Sequence, residues 1–112
     1  MIQTITDLSY LRSISCDDQE FVYEMVHTFL KETPASIEII EKALSERNLT
    51  IAGKQAHKMK PSLVMMGIDA LKPLLKEFEE FCENGEETKA DALLVEIKKI
   101  SQSAMEELVK IW

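Results

Sequence analysis

Apolar residues recur along most of this chain at the three- and four-residue spacing that is typical of amphipathic helices. Four such stretches predict long helices over residues 17–44, 50–66, 70–82 and 86–112. A shorter stretch near the N-terminus places Leu8, Leu11 and Ile14 on one stripe and predicts a short covering helix. The residues expected to face a common core are, helix by helix, Phe21, Val22, Met25, Val26, Phe29, Ile37, Ile40 and Leu44, then Ile51, Gln55, Ala56, Met59, Leu63 and Met66, then Leu71, Leu74, Leu75, Phe78 and Cys82, and finally Ala90, Leu93, Ile97, Ile100, Ala104, Leu108 and Ile111.

Short breaks separate the four long stretches. We predict a turn at ERNLT, a helix-ending glycine at Gly67, an N-cap at Asp69 and a last turn at ENGE. The apolar face of the first stretch continues past Pro34, which predicts one long helix that is kinked near Thr33 and Pro34. Helices joined by such short turns form an antiparallel up-down bundle. The predicted fold is therefore an all-α four-helix bundle with a short N-terminal covering helix.

Composition and charge agree with this fold and limit the function. At 112 residues, 46% of them hydrophobic, the chain is large enough to bury a core as a single domain over residues 1–112. The N-terminus lacks the features of a signal peptide, and no apolar run approaches the roughly 18 residues of a membrane span. We therefore expect a cytoplasmic protein without direct membrane contact. We also expect it to be a monomer. The formal net charge of -7 argues against nucleic acid as a partner.

The sequence indicates no metal or cofactor site. Cys16 and Cys82 lie far apart and match no zinc-ligand spacing, so two free thiols are expected. Glu24 and His27 form one Glu-x-x-His pair, whereas a di-iron bundle needs a second pair and further carboxylates. The three glycines form no phosphate loop or kinase motif, which argues against an autonomous kinase.

One segment reverses the charge of the chain. Residues 50–68 contain no aspartate or glutamate, and they place His57 among Lys54, Lys58 and Lys60. At about 100° per residue, His57 falls roughly 160° from the centre of the predicted core face of its helix. Its side chain is therefore expected to point into solvent. On geometry alone, an ordinary surface histidine is the alternative interpretation.

A solvent-exposed neutral imidazole is a competent nucleophile for phosphoryl transfer, which needs little beyond positioning and charge stabilisation. Lys60 lies three residues later on an adjacent part of the same face, from which its ammonium group can approach a phosphoryl oxygen. The other residues around His57 form a basic, partly apolar surface on which a partner can dock. The predicted docking residues are Gly53, Lys54, Lys58, Pro61, Val64 and Ile68.

The segment AHKMKPSLVMMGIDAL resembles the signature of histidine-phosphotransfer (HPt) domains, in which His-x-Leu-Lys-Gly-Ser leads to a glycine ten residues after the histidine. The upstream segments DLSYLRSIS and EFVYEMVHTFLKETPASI are similar to the opening of the same family. The resemblance therefore spans essentially the whole chain. The residues at the signature positions are His57, Met59, Lys60, Pro61, Ser62 and Gly67.

The resemblance implies a four-helix bundle that carries phosphoryl groups and is not itself an enzyme. It implies that His57 accepts phosphoryl from the aspartyl phosphate of one receiver domain and passes it to the aspartate of another, with Lys60 on the phosphate side. The implied partners are receiver domains of response regulators or of a hybrid sensor kinase. Further polar groups are expected on the neighbouring helix, where the candidates are Lys72, Lys76 and Glu79.

Pro61 departs from the family pattern, which usually has glycine at this position. Its ring has no amide hydrogen to donate to the carbonyl of His57 and crowds that carbonyl, at a cost on the order of 3 kcal/mol in an ideal helix. We therefore predict that the helix bends at His57 without losing phosphotransfer. The alternative function is a non-phosphorylated helical interaction module that docks an acidic partner surface through the same patch.

Overall fold

The computed structural model describes residues 5–111 of the chain. Within this range the backbone forms five α-helices and no strand, which confirms the predicted all-α class. No helix in the same range is long and apolar enough to cross a lipid bilayer. The helices are α1 Ser9–Ile14, α2 Gln19–Ser45, α3 Leu49–Met66, α4 Leu71–Glu83 and α5 Glu87–Ile111.

The four long helices form a bundle around one hydrophobic core. Helix α2 packs on α3, α3 on α4 and α4 on α5, and α5 closes the ring by contacting α2. The connections cover only residues 46–48, 67–70 and 84–86, and connections this short favour antiparallel neighbours. Helix α1 lies against α3, with Leu8 and Leu11 buried, and is the predicted cover.

Helix α3 turns one face fully inward. Its buried residues are Ala52, Ala56, Met59, Leu63 and Met66. The prediction that Ile51 belongs to the core is wrong, because its side chain is 47% exposed and the inward face starts at Ala52. The small side chains of Ala52 and Ala56 let neighbouring helices approach closely, whereas hydrophobicity alone favours the larger isoleucine.

Most of the other inward predictions hold, with exceptions near helix ends. Ile14 ends α1 and Phe21 lies in the first turn of α2, and both are largely exposed because the bundle does not cover these ends. Gln55 is half-buried and donates to Oγ of Ser36 at 3.1 Å. The side chain of Ile111 lies outside the part of the chain that the structure describes. The predicted inward residues that are only partly buried are Met25, Leu44, Leu74, Leu93 and Ile100.

The turn between α3 and α4 is built from backbone hydrogen bonds. Gly67, with φ of 64°, ends α3 as predicted. The prediction of Asp69 as the N-cap of α4 is wrong, because Ala70 precedes the helix and no side chain caps it. The carbonyls of Ile68 and Asp69 accept from the first two amide groups of α4 instead, so no side-chain cap is needed at these positions.

Pro34 and Pro61 lie in the interiors of continuous helices. Pro34 is in the middle of α2, which is the single long helix predicted, and Pro61 is in the second half of α3. Each proline removes one amide donor from its helix without ending it. The bends expected near Pro34 and at His57 stay predictions.

The segment before α1 is tied to α5 by Glu107. The amide groups of Ile5 and Thr6 donate to its carboxylate at 2.7 and 3.1 Å, and the Thr6 hydroxyl donates at 2.9 Å. Burial by itself would raise the pKa of Glu107, but these hydrogen bonds and the nearby charge of Lys110 outweigh it. The pKa of Glu107 is therefore held below its usual value.

We expect Glu107 to make the stability of the fold depend on pH on the acid side. A lowered folded-state pKa means that its contribution is complete above the unfolded value of about 4.3 and is lost as the pH falls through the folded value. Glu107→Gln should be less stable than the wild type by about 1 kcal/mol at pH 7. Urea unfolding should show this difference shrinking below pH 4, whereas a difference that is independent of pH would contradict the assignment.

Candidate functional site

His57 lies near the middle of α3, on the face opposite the core. Ala56 and Met59 turn inward, and His57 and Lys58, which lie between them in sequence, turn outward. The imidazole is 71% exposed, as the helical spacing predicts. A rigid, well-packed helix therefore holds the ring where a large partner can reach it.

Glu79 on α4 bridges His57 and Lys60. Its Oε1 lies 2.7 Å from Nδ1 of His57, and its Oε2 forms an ion pair with Nζ of Lys60. His57 and Lys60 are three residues apart on α3, so one carboxylate on α4 reaches both side chains. The side chain of Glu79 is only 21% exposed, so its carboxylate lies close to the helix surface while the ring that it contacts stays open to solvent.

The carboxylate of Glu79 sets the tautomer of His57. An ionised carboxylate only accepts hydrogen bonds, so the short contact places the ring hydrogen on Nδ1. In the neutral ring, Nε2 then carries the free lone pair. The nitrogen that can attack an incoming electrophile is therefore Nε2, while Nδ1 is engaged with the protein.

An open groove of about 570 Å³ lies beside His57, between α3 and α4. Lys54 and Lys58 stand on its α3 side, and neither forms an ion pair within the described residues. Their positive charge favours the approach of an anionic group to His57. The groove is lined by Leu49, Thr50, Gly53, Lys54, His57 and Lys58 of α3 and by Glu79, Cys82 and Glu83 of α4.

Cys82 lines this groove but does not compete with His57 as a nucleophile. Burial, with a smaller contribution from the charge of Glu79, raises the pKa of its thiol to about 11. The thiol is therefore protonated at neutral pH, whereas the reactive form of cysteine is the thiolate. The sequence places Cys82 on the apolar stripe of α4. Because Cys82 follows Glu79 by three residues, the two side chains lie one helical turn apart, and this spacing is the sequence feature that connects Cys82 with the site.

The predicted docking residues do not all lie at the surface. Those that are at least partly exposed are Gly53, Lys54, Lys58, Pro61 and Val64. The prediction of Ile68 as a docking residue is wrong, because Ile68 is completely buried. The left-handed conformation of Gly67 redirects the chain after α3, so Ile68 enters the core instead of continuing the exposed face.

Of the three polar candidates on α4, Glu79 is the one that contacts His57. Lys72 pairs with Asp69 at 3.0 Å, and Lys76 is exposed and forms no ion pair within the described residues. Sequence spacing shows which residues of α4 point outward. It does not show which of them faces α3, because that depends on how the two helices pack.

Comparison with known families gives one match. The profile of the Hpt domain matches residues 24–109, a range that contains α3, α4 and the three residues of the bridged site. Neither curated proteins nor solved structures gave a match to the chain. Hpt domains are helical phosphocarriers of two-component phosphorelays, where they interact with receiver domains. Because the match covers most of the chain and the fold is a helical bundle, the chain belongs to the Hpt domain family.

Proposed function

We propose that His57 is the phosphoryl acceptor of this domain and relays phosphoryl groups between the aspartates of two receiver domains. The observation that carries the proposal is the 2.7 Å contact between Nδ1 of His57 and Glu79, made by a ring that is 71% exposed. This contact leaves the lone pair of Nε2 free on an accessible ring. The other histidine, His27, stacks on Tyr23 with ring centroids 4.1 Å apart.

The proposed transfer step is a direct displacement at phosphorus. The Nε2 lone pair of His57 attacks the phosphorus of an aspartyl phosphate, so an N–P bond forms and the bond from phosphorus to the aspartate oxygen breaks. The electron pair of the broken bond returns to the aspartate carboxylate. The hydrogen stays on Nδ1, and Glu79 offsets the positive charge that the ring acquires. The reverse step on a second receiver delivers the phosphoryl group to its aspartate.

Lys60 is proposed to stabilise the phosphoryl group. Its ammonium group forms an ion pair with Glu79, the residue that also contacts the ring of His57. The side chain of Lys60 is 36% exposed. A lysine is a point charge on a flexible stem, so it can turn towards a phosphoryl oxygen without movement of the backbone. The lysines of the groove, Lys54 and Lys58, add positive charge on the path of approach.

The proposed partner is the phosphorylated face of a receiver domain, which carries negative charge. Gly53, Lys54, Lys58, Pro61 and Val64 surround His57 along α3 and are its proposed docking surface. Val64 is 42% exposed and adds apolar area that a partner can bury. Binding of a receiver domain without any transfer would favour the alternative of a non-phosphorylated interaction module.

The proposed function is tested by incubating the protein with a panel of receiver domains that carry phosphate on aspartate. We expect label to appear on this chain, to survive base and to be lost in acid, as an N–P bond requires. Peptide mapping should place the label on His57. The absence of acid-labile phosphate after incubation with every receiver of the panel would contradict the proposal.

Glu79→Gln is expected to slow transfer about 10-fold, because the variant loses the charge that orients the imidazole and pairs with Lys60. The measurement is the single-turnover rate constant for transfer from one phosphorylated receiver. Glu80→Gln is the matched control, since Glu80 is an exposed neighbour on α4 and should leave the rate unchanged. Equal rates for Glu79→Gln and the wild type would show that Glu79 does not act in transfer.

A further inference from the structure

Gly53 and Cys82 bring α3 and α4 together one helical turn from the contact between His57 and Glu79. Gly53 precedes His57 by four residues on α3, and Cys82 follows Glu79 by three residues on α4. Residues at these spacings lie on the same face of a helix, so the two pairs form adjacent contacts between the same two helices.

A side chain at Gly53 would crowd α4. A Cβ atom built there lies 3.2 Å from Cβ of Cys82 and 3.9 Å from its Sγ. The first distance is shorter than about 3.5–4.0 Å, which is the separation at which the attraction between two carbon atoms is strongest. Cβ of Cys82 is fixed to the backbone of α4 and cannot rotate away. Relief would therefore require the two helices to separate by a few tenths of an ångström.

The conformation of Gly53 gives no other reason for glycine at this position. The glycines with positive φ are Gly67 and Gly85, whereas Gly53 lies within α3. Inside a helix, glycine is less favourable than alanine by about 1 kcal/mol. Glycine at position 53 leaves room between α3 and α4 for the side chain of Cys82.

The separation of α3 and α4 matters at the site because the hydrogen bond there is short. Nδ1 of His57 and Oε1 of Glu79 are 2.7 Å apart, and hydrogen bonds of this kind extend to only about 3.2 Å. Glu79 is on the same helix as Cys82, one turn away, so displacement of α4 at Cys82 moves Glu79 away from the ring. A displacement of a few tenths of an ångström lengthens this contact towards the end of that range, which weakens the preference for the ring hydrogen on Nδ1.

We propose that Gly53 is a positioning residue that acts through Cys82 to keep the hydrogen bond between Glu79 and His57 short. Its effect on the ring tautomer is independent of any reaction, whereas its effect on transfer rests on the proposed function. Gly53 touches no reacting atom. It allows the close helix packing that presents Nε2 as the free nitrogen.

The test combines the tautomer of His57, measured by ¹H–¹⁵N NMR at a pH at which the ring is neutral, with the rate of phosphoryl transfer from a receiver domain. In Gly53→Ala, the ratio of the Nδ1–H to the Nε2–H tautomer is expected to fall about 5-fold, and the transfer rate with it. Adding Cys82→Gly removes the opposing Cβ and should restore both to within about twofold of the values for Cys82→Gly alone.

Gly85→Ala is the matched control, because a Cβ atom at Gly85 meets nothing within 4 Å. Its tautomer ratio should equal that of the wild type. An unchanged ratio in Gly53→Ala would overturn the proposal, and so would a lowered ratio that Cys82→Gly does not restore. If Gly53→Ala fails to fold, the double variant Gly53→Ala with Cys82→Gly tests the proposal. The proposal requires that this double variant folds and has the same tautomer ratio as Cys82→Gly alone.

The two readouts separate this inference from the proposed function. A wild-type protein with the Nδ1–H tautomer that accepts phosphoryl from no receiver would overturn the proposed function and support the positioning geometry. A protein that transfers phosphoryl normally, but whose tautomer ratio does not respond to Gly53→Ala, would overturn the inference and support the function.

Discussion

Replacing His57 with glutamine is expected to abolish phosphoryl acceptance, with a loss of about 1,000-fold or more in the transfer rate. Glutamine keeps the polarity and much of the length of histidine, but it has no ring nitrogen with a free lone pair. The measurement is acid-labile label on the protein after incubation with a phosphorylated receiver. Because the ring is 71% exposed, the substitution should change the free energy of unfolding by no more than about 0.5 kcal/mol. A loss of label would therefore reflect chemistry rather than unfolding.

His27→Gln is the matched control for this experiment. His27 is also exposed on a long helix, but its ring contacts Tyr23 rather than a bridging carboxylate and lysine. This variant should accept phosphoryl at the wild-type rate. Label that persists in His57→Gln, or label that is lost in His27→Gln alone, would contradict the assignment of the acceptor.

Gly67→Ala is expected to cause the largest loss of stability of the substitutions considered for this chain. The φ of Gly67 is 64°, a conformation that costs a residue with a Cβ about 1–2 kcal/mol. In addition, the new Cβ would overlap the carbonyl oxygen of Asp7, which must move away. This movement would weaken the 3.0 Å hydrogen bond from the Asp7 amide to the Met66 carbonyl. Together these effects should lower the free energy of unfolding by about 3 kcal/mol or more.

Gly85→Ala separates the two contributions. Gly85 has a similar φ of 72°, but a Cβ there meets no atom within 4 Å. Its substitution should cost only about 1 kcal/mol, from backbone strain alone. Urea unfolding of both variants measures the difference. Equal losses would mean that the contact between Gly67 and the segment before α1 does not contribute to stability.

The helices could be predicted because each carries a local signal. The apolar stripe of α2 continues past Pro34, and the observed helix is continuous there. Gly67 ends α3, as the sequence predicts for a glycine at this position. The core face of α3 is misplaced by one residue because packing rather than hydrophobicity decides which side of a helix is covered. Ala52 is buried and Ile51 is exposed because small residues allow the closest approach between helices.

Only the part of the site that lies on a single helix could be predicted from the sequence. His57 and Lys60 share α3, so their spacing alone places both on the outer face. The role of Glu79 depends on the rotation of α4 against α3, and several outward residues of α4 fit the same sequence pattern. The burial of Ile68 likewise follows from the direction that the chain takes after Gly67. Both are tertiary features, which spacing within one helix does not encode.

The close contact between Gly53 and Cys82 illustrates the same limit. Gly53 is an unfavourable residue for a helix interior, and Cys82 lies on the apolar stripe of α4. Their meeting becomes visible only when the two helices are packed. The bridged site and this contact together explain why one nitrogen of an exposed imidazole is held by the protein and the other is left for a partner.

The central claim is that Nε2 of His57 carries the phosphoryl group while Nδ1 keeps its hydrogen bond to Glu79. The most direct measurement is ³¹P and ¹H–¹⁵N NMR of the ¹⁵N-labelled protein after phosphorylation by a receiver domain. We predict a phosphorus nucleus coupled to Nε2 of His57 and a hydrogen retained on Nδ1. Phosphorus on Nδ1, on another residue or nowhere on the chain would contradict the account.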